Sequence, residues 1–370
     1  MRVTSGAAGT EAASAPASER SDDIKAFQFQ VFSQLQGALT AAQIYIGDRL
    51  GLYRALAEAG RAVEPAELAG ATGLDERWVR EWCCQQAAAK LVAYEDGRFG
   101  LSPEGVAVLA DEDSAVFGAG SFRQFTAMMR LVERLPESFR TGMGYDYDTG
   151  GPDKAAGIEA SFAPWYRHAL VSVVLPLLGV SDRLRDGAVA IDVGCGAGRA
   201  VLTMAEAFPG STFVGYDVSR HALERAEAAR RAAGLDNARF VDARTEPLPS
   251  DHSAALVTVF DVLHDVPDPA GLVAAVRGAI ADDGVWLLVD IKARESVEEN
   301  LRRNPMAALM YGSSLVTCLP SALSEPGGAG LGTLGLPPSA ARRMAEEAGF
   351  TQFRTLDVQH PINAFYEIRP

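Results

Sequence analysis

The chain has 370 residues, 48% of them hydrophobic, and a formal net charge of -14 from 48 acids against 34 bases. That length supports more than one packed unit, and the acidic balance opposes non-specific binding to nucleic acid. The four cysteines (Cys83, Cys84, Cys195 and Cys318) show neither a disulfide framework nor zinc-ligand spacing, and no apolar run is long enough to span a membrane. A cytoplasmic location is the expectation, with no metal.

Residues 1–21 are rich in Ala, Ser and Gly, lack a signal-peptide pattern and are expected to be a disordered tail. Helical periodicity then begins, with Ile24, Phe27, Val31, Leu35 and Leu39 at three- and four-residue steps. A second helical stretch is expected over 41–57, a short helix from Pro65 and another from Asp75. Asp96-Gly97 reads as the turn of a small hairpin. Short helices followed by a hairpin describe a winged-helix-like unit over 22–110. Its candidate reading helix, 75–82, mixes two Arg with three acidic residues, so the expectation is a homodimerisation unit with no nucleic-acid partner.

Residues 111–180 read as a helical linker and substrate-capping region. The interruption from Thr141 to Pro152 is glycine-rich and aromatic, which makes Tyr145 and Tyr147 candidates for a pocket wall. Trp165, Tyr166 and His168 follow on one helical stretch as further substrate candidates, and Trp165 and His168 can share a face.

From Val189 strands and helices alternate, which predicts an α/β domain over 181–370 with a mostly parallel, seven-stranded, Rossmann-like sheet closed by two late strands. The first strand runs into Asp192-Val193-Gly194-Cys195-Gly196-Ala197-Gly198, a glycine turn before a helix. Asp217 ends the second strand, where a carboxylate can accept two ribose hydroxyls. Asp242, after the third strand, is placed for an adenine amine. The turn departs from the dinucleotide pattern, and Asp192 beside it suits a cationic amine rather than a pyrophosphate. Together these residues describe a ligand with an amino-acid end, a ribose and an adenine.

In these motifs the sequence resembles the class I S-adenosylmethionine-dependent methyltransferases. It is most similar to actinobacterial small-molecule enzymes with a winged-helix-like N-terminal domain, a group that includes the plant-type O-methyltransferases. The resemblance implies S-adenosyl-L-methionine as cofactor. Asp192, Gly194, Cys195, Gly196 and Gly198 would cradle its methionine part, and Asp217 would hold the ribose. Val218, Asp242 and Ala243 would surround the adenine, with Phe260 and Asp261 closing the pocket. It also implies that His264, followed by Asp265, deprotonates an acceptor hydroxyl.

Read from the residues alone, His264 stands past a strand's C-terminal end with a near-neutral ordinary pKa, and a helix-capping histidine fits equally. The insert 292–338 is expected to be lid-like, with a helix from Glu298 to Tyr311 and a flexible stretch over 325–333. Met310, Tyr311 and Ser314 are its substrate candidates, and Cys318 reads as structural. The expected function is methyl transfer to a small molecule at a hydroxyl oxygen. The alternatives are transfer to nitrogen or carbon by proximity or with a metal-bound acceptor, and a transcriptional regulator that senses the cofactor.

Overall fold

The computed structural model describes residues 17–370, with side chains from residue 21. Helix α1 is one continuous element, Ala17–Arg49, followed by α2 (Leu52–Ala59). The two helical stretches expected from sequence therefore meet at Gly51 and not near residue 40. Gly51 takes a φ of 72°, a left-handed conformation that stops α1, whereas nothing at 40–42 disfavours helix. Residues 17–21 of the expected tail belong to α1, because no Pro or Gly falls between Ala17 and Ser21; residues 1–16 lie outside the described residues.

Helix α3 (Pro65–Thr72) begins on a proline, whose missing N–H costs nothing in a first turn. Helix α4 (Glu76–Ala88) is capped by Asp75, whose carboxylate accepts from the amides of Arg77 and Trp78 at 3.0 and 3.3 Å. Strands β1 (Ala93–Glu95) and β2 (Arg98–Gly100) pair across Asp96-Gly97, both at positive φ. Leu52, Tyr53, Leu56, Leu68, Val79, Trp82 and Phe99 form this unit's core. The α1 side chains from Ile24 to Leu39 stay outside it: Phe27, Phe32 and Leu35 are each about 60% exposed.

The main sheet contains β3 (Val189–Val193), β4 (Thr212–Asp217), β5 (Ala238–Asp242), β6 (Ala254–Phe260), β7 (Ile280–Ile291), β8 (Gln352–Thr355) and β9 (Asn363–Arg369). Their order is β5-β4-β3-β6-β7-β9-β8. Neighbours are parallel except at β9, which runs antiparallel to both β7 and β8. The central β3 and β6 are apolar because helices cover both faces of the sheet. The strand order reverses between β3 and β6, and the crevice at their C-terminal ends is where such a sheet binds ligands.

Two expectations for the insert are corrected. The expected helix from Glu298 to Tyr311 is two helices, Val297–Arg303 and Ala307–Val316, because Pro305 forces Asn304 into an extended conformation. The glycine-rich stretch is not a loose flap. The amides of Ala329, Gly332 and Thr333 donate to Pro267 O, His264 O and Ser314 Oγ at 2.9, 3.0 and 3.0 Å, which fixes it over the turn after β6.

Candidate active site

The glycine turn is held from below and from the side. Gly194 N and Cys195 N both donate to Tyr216 O, at 2.8 and 3.0 Å. Gly194 has a φ of 71°, and a methyl group there would overlap the side chain of Val262. Only glycine meets both conditions. Asp217 ties the turn to the next helix: its carboxylate accepts from Gly196 N and Ser219 N, each at 2.7 Å. Burial raises its carboxyl, while these amide donors oppose the rise.

A cavity of about 310 Å³ opens above the turn. Gly194, Cys195, Gly196, Asp217, Val218, Ala243, Phe260 and Asp261 all line it, as do Tyr147, Tyr166 and Asp265. Asp192 and Asp242 do not. Asp192 lies beneath the turn, where its carboxylate accepts from Thr258 Oγ1 at 2.6 Å and burial pushes its carboxyl up to about 7. Asp242 turns back to accept from Arg244 N at 2.9 Å, leaving Ala243, Arg244 and Leu248 as the wall. Gly198 caps the following helix at a φ of 75°.

His264 is buried next to this wall. Its Nδ1–H donates to Asp290 Oδ1 at 2.7 Å, and Nε2 lies 3.3 Å from Cys318 Sγ. Burial by itself lowers the imidazole pKa, but Asp290 and Cys318 more than reverse this and raise it well above the ordinary value. The ring caps no helix. Its neighbour Asp265 is pushed up to about 6 by burial, against the pull of His264 and Lys154. Cys318, expected to be purely structural, is thus paired with an imidazole.

The loop after Thr141 straps the linker to the sheet domain. Gly144 N and Tyr145 N donate to Leu323 O and Pro320 O at 2.8 and 3.1 Å, and Asp148 accepts from Ser219 Oγ and from Arg220 N. Tyr147 reaches the cavity, with the buried Lys154 ammonium 3.6 Å from its ring centroid.

Several substrate candidates are used elsewhere. Tyr145 donates its hydroxyl to Val316 O at 2.8 Å, and Trp165 packs on Phe260 and Phe365 behind the wall. The exposed His168 bonds Asp113 O. Met310 and Tyr311 join a separate apolar cluster with Ala293 and Leu334, and Ser314 holds Thr333 N. These six do not line the cavity because each finds its partner in the scaffold that carries the wall. Sequence reasoning missed Asp290 and Lys154. Asp290 carried a signal, an acid ending an apolar strand as Asp192 and Asp217 do; Lys154 carried none.

Comparison with known proteins finds matches to two stretches of the chain. Residues 184–325 match the family of methyltransferase domains, and residues 38–110 match the Rv2258c-like winged HTH domain. The chain has the class I S-adenosylmethionine-dependent methyltransferase fold with an N-terminal winged-helix domain. A mitomycin biosynthesis 6-O-methyltransferase of Streptomyces lavendulae is 28% identical over 271 residues, 69% of this chain and 75% of that one. A ubiquinone biosynthesis O-methyltransferase of Psychrobacter arcticus is 29% identical over 171 residues; the match spans 45% of this chain and only 60% of the relative. Among solved structures, the mitomycin 7-O-methyltransferase superposes with a TM-score of 0.64 at 21% identity, covering 94% of this chain and 99% of that one. An O-methyltransferase-like structure from Nostoc punctiforme gives 0.70 at 15% identity, covering 92% and 98%. The matches support S-adenosyl-L-methionine as the cofactor.

Proposed function

We propose that the protein methylates a hydroxyl oxygen of a small-molecule acceptor with S-adenosyl-L-methionine. One observation carries the reading: Asp265, the residue after the His264–Asp290 pair, is a wall of the same cavity as the glycine turn. The residues fit the cofactor. Backbone without side chains faces the cavity at Gly194 and Gly196, and Asp217 presents a buried carboxylate for hydroxyl donors. Val218 and Leu248 offer an apolar surface to a flat base. When bound, the cofactor supplies an electrophilic methyl group on a positively charged sulfur.

The chain supplies alignment, exclusion of water and a base. Asp290 orients the imidazole so that Nε2 is the atom that takes a proton, and its charge stabilises the imidazolium that results. Cys318 holds Nε2 at rest, and the acceptor hydroxyl takes its place. The O-methyltransferase names of the relatives support oxygen as the acceptor atom. Tyr147, Phe162, Tyr166 and Phe260 on the wall favour a largely apolar, aromatic acceptor.

The uncovered α1 face supports a homodimer through the N-terminal helices, since an apolar stripe of this length is costly in water. The regulator reading loses ground on α4: Arg77 pairs with Glu81 and Arg80 with Glu76, which leaves its arginines matched by acids one turn away.

The experiment is a mass-resolved screen of phenols, hydroxy acids, keto acids and amines with purified protein and cofactor. A product heavier by one methylene, with the methyl on oxygen by fragmentation, supports the reading. Methyl on nitrogen or carbon, with full turnover in His264→Ala, refutes it.

A further inference from the structure

His264, Asp265 and Cys318 bring three different donor types together from two separate segments, the turn after β6 and the helix Cys318–Ala322. The imidazole nitrogen, the thiol sulfur and a carboxylate oxygen all lie within 4.8 Å of one another. Nε2 and Sγ are 3.3 Å apart. A tetrahedral ion with bonds of about 2.0–2.1 Å to imidazole and about 2.3 Å to thiolate sets those two atoms about 3.5 Å apart.

The second nitrogen of the ring is already committed. Nδ1 donates to Asp290 Oδ1, which is itself fixed by Ile291 N at 2.7 Å. A carboxylate on the far nitrogen fixes the tautomer and makes the near one a better ligand, the arrangement found behind metal-bound histidines. Asp290 Oδ2 is buried with no partner, and Asp261 adds another acid within reach of the same ring. Lys154 is a cation facing Asp265 and Cys318.

We infer that His264 Nε2, Cys318 Sγ and Asp265 form a three-ligand site for one thiophilic divalent cation of the Zn²⁺ class, and that its occupancy switches the base off. Thiolate and imidazole donors select zinc-like ions over magnesium or calcium. On binding, the S–H proton leaves to solvent as the S–metal bond forms, and the Nε2 lone pair enters a metal bond. That lone pair is the one that takes the acceptor's proton, so metal and acceptor compete. The switching half of the inference rests on the proposed base role of His264; the binding half does not.

The test uses the full chain freed of metal by chelation, with Zn²⁺ titrated against a chromophoric chelator, Co²⁺ followed by absorption, and Mg²⁺ as the control ion. One equivalent of Zn²⁺, a thiolate-to-cobalt charge-transfer band and no Mg²⁺ uptake are expected. Cys318→Ser should abolish the band and weaken Zn²⁺ at least about tenfold, and Asp265→Asn should weaken it while keeping the band. Circular dichroism checks that both variants fold. No Zn²⁺ uptake, or equal uptake by Cys318→Ser, overturns the site. Methyl transfer undiminished by one equivalent of Zn²⁺ overturns the switch. Zn²⁺ uptake by the natural chain together with full turnover in metal-free His264→Ala leaves the site standing and removes the base reading instead.

Discussion

His264 and Asp290 meet across 26 positions of sequence, with Nδ1 2.7 Å from Oδ1 and both side chains almost fully buried. The carboxylate accepts from Nδ1 and so leaves Nε2 as the basic atom. In Asp290→Asn the amide can donate to Nδ1 and move the ring proton to Nε2. Single-turnover methyl transfer should fall by about 10²- to 10⁴-fold. Cofactor affinity, measured by calorimetry, should stay within a few-fold. A parallel loss of both would place the pair in the scaffold and not in the chemistry.

Gly194→Ala would put a methyl group into Val262 at a φ of 71°. Strain of this kind costs about 1–3 kcal/mol. The turn must shift to relieve it, so calorimetric cofactor binding should be lost while the winged-helix core still melts cooperatively. Unchanged binding would show that the turn is not the cradle.

Asp217 holds two backbone donors and faces the cavity. Asp217→Ala leaves both amides without their acceptor and removes the carboxylate offered to the ribose. Hydrogen bonds to a charged group contribute about 1.5–3 kcal/mol each. Cofactor affinity should drop by at least about tenfold, with methyl transfer partly restored at high cofactor concentration.

Phe27 and Val31 lie one turn apart on α1, and both are more than half exposed. The double variant Phe27→Glu, Val31→Glu should sediment as a monomer under conditions where the natural chain is a dimer. A natural chain that is already monomeric at micromolar concentration would remove the α1 interface.

Asp192 gives a pH signature. Its folded carboxyl titrates at about 7, above the unfolded value of about 3.9. Between those values the unfolded chain has lost the proton that the folded chain keeps, so stability falls as pH rises and levels off above about 7. The slope approaches 1.4 kcal/mol per pH unit for one such group. Asp192→Asn has nothing to lose, so its stability relative to the natural chain should climb through the same window in denaturant titrations at pH 4, 5.5 and 7. A difference constant with pH would show that Asp192 is ionised in the folded protein.

Much of the site was legible because its signals are local. A run of strand, glycine turn and helix fixes Gly194 to Gly198 whatever surrounds it, and Asp217 follows from ending the next parallel strand. Asp75 marked the start of its own helix and caps it. The pocket's far wall was legible only in part, at Tyr147 and Tyr166. Tyr145, Trp165 and Met310 have pocket-like composition, yet each is claimed by a neighbour distant in sequence: Val316, Phe365 and Leu334 respectively.

The sequence by itself determined the alternating sheet, its glycine turn and the acids at the strand ends, because each follows from backbone conformation and nearest-neighbour patterning. Tertiary structure alone decided that Asp290 orients His264, that Cys318 covers its free nitrogen and that Lys154 stands over Tyr147. Those partners lie between 7 and 54 positions apart, on elements that meet only when the sheet closes and the strap after Thr141 crosses it. Periodicity records which face of an element is buried, but not which distant side chain is buried against it.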